Sequence, residues 1–152
     1  DEYALAVLAC ILGGGMSSRL FTEVREKRGL AYSVHAWADK YPDTGYFVVQ
    51  AGVEHAKLGK AVETILAEFK KIKRKTVSAE ELKKAKSYII GTMTLALETS
   101  DHVAENAATS IINLGRVRSL EEIIKGICDW KPGICEGHVK SFERKIKKKK
   151  KL

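Results

Sequence analysis

Hydrolysis by a zinc peptidase needs two neutral imidazoles one helical turn apart, a third ligand, and a carboxylate to take a proton from the metal-bound water. The four histidines are His35, His55, His102 and His138, and no two stand four positions apart. The nearest approach is HVAEN at residues 102–106, which has a first histidine and a glutamate but Asn106 in place of a second ligand. It reads as a solvent-facing pair on a helix, and no zinc bound by this chain is expected. A second constellation lies in residues 13–33, GGGMSSRLFTEVREKRGLAYS, where Arg25 and Tyr32 are seven positions apart across a helix-to-strand corner. By spacing alone, Arg25 is one of several cations near a helix C-terminus, where positive charge is favoured. Tyr32 alternates with core positions, as a buried aromatic with a satisfied hydroxyl would. Gly13, Gly14 and Gly15 invite a phosphate-loop reading, but no GK[ST] follows and no strand precedes them, so a loop between two helices is expected.

The elements that must position these residues are legible from periodicity. Residues 3–12 (YALAVLACIL) are apolar on every side, the pattern of a buried helix, and the three glycines end it. Ser17 or Ser18 can cap the next helix, which runs to about Lys27, with Gly29 as a left-handed stop. Residues 30–38 alternate: Leu30, Tyr32, Val34, Ala36 and Ala38 face one way, and Ala31, Ser33, His35 and Trp37 the other. Turn residues at 39–45 lead into a second strand at 46–53, forming an antiparallel hairpin. From Ala56 the period becomes helical, with Leu58, Val62, Ile65, Phe69 and Ile72 on the face laid against the sheet. Ser78 and Glu81 form a capping box for a helix striped by Leu82, Ala85, Ile89, Met93 and Leu97. A break at 99–101 opens another helix, with Val103, Ala107, Ile111 and Leu114 continuing the apolar face to Gly115. Ser119 and Glu122 cap a short helix ending near Gly126. Helices grouped after antiparallel strands predict an α+β fold rather than a wound parallel sheet. Two strands are too few to be stable alone, so further strands are expected from sequence outside this chain.

At 152 residues and 45% apolar, the chain has room for one domain with a real core. The net charge of +8 is concentrated at one end: residues 140–152 hold eight Lys or Arg and one acid, and the other 139 residues carry 19 basic and 18 acidic side chains. The folded part is thus nearly neutral, and no nucleic-acid face follows from the total. No apolar run reaches the length of a membrane span, and residues 3–12 lack the basic flank and cleavage pattern of a signal peptide. No membrane span and a soluble, cytoplasmic setting are expected. Cys10, Cys128 and Cys135 are odd in number and lack ligand spacing, which argues against a disulfide framework or a cysteine zinc site. Residues 128–152 lose clean periodicity and read as an atypical lysine-rich tail, non-native or disordered.

The block SSRLFTEVREKRGLAYS resembles the second-half domain of the pitrilysin/insulinase family of zinc metallopeptidases, in the manner of mitochondrial processing peptidase. The resemblance extends over most of residues 1–127, by pattern only after Ala56. It implies half of a clamshell, here truncated, because the family's first strand of this half should precede the helix at Tyr3. The family's HxxEH motif is missing, so zinc is expected on an N-terminal half or partner subunit. VREKRGLAYS matches the family's substrate-facing segment, and this implies that Arg25 and Tyr32 donate to the oxygens of a peptide substrate. Gly13, Gly14 and Gly15 correspond to a glycine-rich loop implicated in substrate capture. The function implied is the substrate-binding half of a zinc-dependent endopeptidase, inactive as an isolated chain. The alternative is a non-catalytic scaffold or core subunit of the same family. The partners implied are the zinc-bearing half and a peptide.

Overall fold

The greasy first segment does form a helix, α1 (Glu2–Gly13). Val7, Leu8, Ile11 and Leu12 are all buried, and Ala6 alone in it is exposed. The computed structural model describes residues 2–41 and 43–130. A helix apolar on every side must be covered on several sides, and α1 lies against strand β1 (Ala31–Lys40), helix α3 (Ala79–Ala96) and helix α5 (Leu120–Asp129). Its junction with β1 is close. A Cβ on Gly13 would fall 2.4 Å from the Ala36 backbone nitrogen and 2.6 Å from the Ala36 Cβ. Glycine here permits helix–strand contact, beyond ending the helix.

β1 pairs antiparallel with β2 (Gly45–Val53), and the order of elements is helix, hairpin, helices, as the α+β reading requires. Val34, Ala36 and Ala38 stand opposite Ala51, Val49 and Phe47, and this face meets the helices. The register slips between Ala31 and Ser33, where two steps along β1 match one along β2. Because side chains alternate with period two, one extra residue breaks the alternation at this point. Ala31 is therefore buried, and Tyr32, expected beside Leu30 and Val34 on the core face, is 85% exposed.

The predicted helix from Ser17 or Ser18 to Lys27 is a π-helical segment, Phe21–Glu26, with the Lys27 N–H bonded to the Thr22 carbonyl at 2.9 Å. Neither serine hydroxyl caps it, and the Ser18 Oγ is buried without a partner. Gly29 does adopt the left-handed conformation, φ 55°. Its N–H reaches the Arg25 carbonyl at 3.0 Å, and the Leu30 N–H reaches the Val24 carbonyl at 2.9 Å. This nested pair resembles a Schellman closure widened by one residue, as the wider π turn demands.

Helix α2 (Leu58–Arg74), after the 3-10 turn His55–Lys57, is rolled relative to its predicted face. Ile65, Phe69 and Ile72 do pack on the core, with Phe69 edge-on to Phe47 at 5.7 Å. Ala61, Thr64 and Glu68 are buried beside them, while Leu58 and Val62 are exposed. Small Ala61 lets the helix approach. The Thr64 hydroxyl donates to the Lys60 carbonyl at 2.7 Å, and Glu68 accepts from Lys71, so the inward polar groups are satisfied.

The two capping boxes are each half made. The Glu81 N–H reaches the Ser78 Oγ at 3.1 Å and the Glu122 N–H reaches the Ser119 Oγ at 3.2 Å. The glutamate carboxylates go instead to Arg19 and Arg116, whose forked guanidinium groups make stronger, charge-assisted pairs than a backbone N–H does. Helix α4 (Ser100–Leu114) ends where expected, at Gly115 with φ 71°. Its apolar face does not continue into the core: Val103, Ile111 and Leu114 are exposed, and Ser110 is its one buried residue. Helix α5 runs past the expected stop at Gly126 to Asp129, and Trp130 is buried. Gly126 serves packing, since a Cβ there would lie 2.3 Å from the Tyr3 ring. The lysine-rich run of the expected tail, from residue 131 on, lies outside the described residues, as does His138.

Candidate functional site

Three independent local events converge on one corner of the surface. The π-helix carries Phe21 and Arg25 on its rim, the glycine closure turns the chain, and the bulge puts Tyr32 in solvent. The Arg25 guanidinium carbon sits 4.7 Å from the centre of the Phe21 ring and 5.7 Å from that of the Tyr32 ring. Both distances are within the range of cation–π attraction. The other cations of the REKR run are engaged differently. Lys27 donates to Glu23 at 2.6 Å, and Arg28 lies 3.9 Å from the same carboxylate. Lys27 holds the Glu23 carboxyl below the usual carboxylate range, chiefly through that hydrogen bond. Arg25 has no carboxylate partner among the described residues. Its charge is thus positioned by two aromatic faces and left available, with Tyr32 exposed to solvent.

The structure therefore brings together Arg25 and Tyr32, and adds Phe21. Phe21 was missed, although its place four residues before Arg25 puts the two on one helical face. The three glycines divide. Gly13 is buried under β1, Gly14 is half-buried with its N–H bonded to the Cys10 carbonyl at 3.0 Å, and Gly15 lies 3.2 Å, as a Cβ, from the Tyr88 ring. Only Met16 and Ser17, just beyond, are exposed. Behind the corner, a cavity of about 550 Å³ is lined by Arg19, Glu68, Lys71 and Glu81. Arg19 donates to Glu81 through Nε at 2.6 Å and Nη2 at 2.7 Å, tying the turn that leads into the π-helix to the start of α3. That hydrogen bond raises the Arg19 pKa further.

Comparison with known proteins agrees with this architecture. Residues 1–89 match the family model described as "Peptidase M16 inactive domain". The chain belongs to this family of zinc protease domains, as its inactive, C-terminal half. It is 37% identical over 122 residues to the uncharacterized zinc protease YmxG of Bacillus subtilis, covering 80% of this chain and 30% of that protein. An uncharacterized zinc protease of Rickettsia bellii is 39% identical over 132 residues, covering 85% and 31%. The crystal structure of a peptidase M16 inactive domain from Pseudomonas fluorescens superposes with a TM-score of 0.71 at 25% identity, over 91% of this chain and 33% of that one. The chain spans about 30% of the length of the curated relatives it matches.

The described residues do not fit the zinc in those relatives' names. His35, His55 and His102 belong to β1, the 3-10 turn and α4, and no three His, Cys, Asp or Glu side chains converge among the described residues. His102 Nδ1 is 2.9 Å from the Ala96 carbonyl. The Cys10 thiol, pushed up to about 11 by burial, faces the Ala85 carbonyl at 3.5 Å, which suits a packed thiol better than a metal ligand. No helix among the described residues is long and apolar enough to cross a membrane.

Proposed function

We propose that this chain is the peptide-holding half of an M16 zinc protease, with Arg25 and Tyr32 gripping backbone carbonyls of the substrate. The observation that carries this reading is the guanidinium without a carboxylate partner, stacked beside an exposed phenol at a bulged strand start. Bulges re-aim side chains, and π turns concentrate at functional sites. A carbonyl oxygen accepts from both donors at once, and such contacts strengthen when water is excluded. A purely structural arginine would instead be expected to pair with a carboxylate such as Glu23, which lies on the same π-helix.

On this reading, zinc belongs to an N-terminal half or partner subunit, and this chain binds and orients the peptide. Gly14, Gly15 and Met16 would form part of the same substrate rim, with Gly13 anchoring them. A scaffold subunit of the same family would have no use for either donor. The test is a reconstituted two-half enzyme. Tyr32→Phe and Arg25→Ala should each lower kcat/KM by on the order of a hundredfold, the scale for losing one carbonyl-directed donor. Bound zinc should stay unchanged. Unaltered kcat/KM in both variants would favour the scaffold, and zinc loss in either would overturn the assigned role.

A further inference from the structure

The far end of the hairpin carries a second cluster, on the sheet face turned away from the helices. Trp37 and Asp39 alternate onto that face of β1, and Tyr46 stands directly across from Asp39 on β2. The Trp37 indole N–H donates to Asp39 Oδ2 at 3.0 Å. Tyr41 first, and then Asp39, raise the pKa of the Tyr46 hydroxyl. The Tyr41 and Tyr46 rings are 6.0 Å apart, tilted by 34°. All three aromatics are partly exposed: Trp37 at 37%, Tyr41 and Tyr46 each at 48%.

Two features set this cluster apart from ordinary surface aromatics. Among the described side chains, the donor to its carboxylate is the neutral Trp37 indole, and no cation among them pairs with Asp39. Trp37 meets that carboxylate, Tyr46 stands across from it and Tyr41 lies beside Tyr46, so π-faces and carboxylate attract the same kind of visitor. An ammonium or guanidinium is drawn to aromatic faces, and a fixed carboxylate adds directional acceptors. An apolar side chain would shield the carboxylate from water without offering it a counter-charge, and an anion would be repelled.

We propose that Trp37, Asp39, Tyr41 and Tyr46 form a binding site for an arginine or lysine side chain of a peptide segment. The site is separate from the Arg25–Tyr32 corner, and its occupancy is read on the chain itself, so it stands or falls independently of the proteolytic role.

The test follows the two tryptophan indole N–H resonances of the ¹⁵N-labelled full chain, assigned with Trp37→Phe. The probes are acetyl-Gly-Arg-Gly-amide and its citrulline counterpart, which keeps the shape of arginine and removes its charge. Saturable movement of the Trp37 signal is expected with the arginine peptide, with the buried Trp130 signal still. Binding should be weaker by about tenfold with citrulline and in Asp39→Asn, the scale of one charge-assisted contact. Equal binding of the two peptides, or no movement with either, overturns the proposal. Should Asp39→Asn disturb the fold, as a shifted Trp130 signal would reveal, the peptide comparison on the unaltered chain decides.

Discussion

Helices α1 and α4 are both read as apolar faces in the sequence, yet one is buried and the other is bare. α1 puts Val7, Leu8, Ile11 and Leu12 in the centre of the core, while α4 leaves Val103, Ile111 and Ile112 in solvent. The difference lies in neighbours rather than in composition. α1 meets β1, α3 and α5 on successive sides, whereas α4 makes only sparse contact with any of them. Periodicity marks a face that wants cover. It does not say whether the cover lies within the same stretch of chain, and this chain spans about 30% of its curated relatives.

The contrast can be broken by substitution and read by urea denaturation. The largest effect is expected from Leu12→Ala, which empties a fully buried site in α1 and should cost about 2–5 kcal/mol. Gly13→Ala comes next. Its methyl group meets backbone at 2.4 Å, and the forced separation of α1 from β1 should cost about 1–3 kcal/mol. A loss smaller than about 0.5 kcal/mol would mean that the α1–β1 contact yields easily.

A smaller effect comes from pH. Burial holds the Cys10 thiol neutral, raising it from its ordinary 9.0 to about 11. The unfolded chain ionises first, so this contribution is complete below pH 9 and declines as pH rises toward 11. Cys10→Ser should flatten that decline in stability measured across the window. At pH 8, iodoacetamide followed by peptide mapping should label exposed Cys128 well before Cys10. The smallest effect should be that of Ile112→Ser on α4, where the side chain is 78% exposed. It should change stability by no more than about 0.5 kcal/mol. A larger loss would show that the face of α4 is covered in solution.

Much of the fold was open to a reading of residues alone. The hairpin followed from alternation and turn chemistry, and Gly29 and Gly115 followed from their places at helix ends. Arg25 and Tyr32 could be singled out by a motif, but not joined in space by one. Alternation put Tyr32 in the core, and only the slipped register at Ala31 and Ser33 reversed it. Ser17 and Ser18 suggested an ordinary capped helix, and the extra residue of a π turn has no marker in composition. Gly13 and Gly126 looked like terminators, although their neighbours, Ala36 and Tyr3, are distant in sequence.

Local chemistry, then, was determined by the chain itself: which segments are helical or extended, where they stop, and which side chains carry charge or a phenol. Tertiary packing decided the rest, namely which apolar faces find cover and which way Tyr32 turns. The reason is physical. Propensity and capping act over a few residues of backbone, while register, burial and the meeting of a guanidinium with two rings depend on surfaces that come together only after the chain has closed on itself.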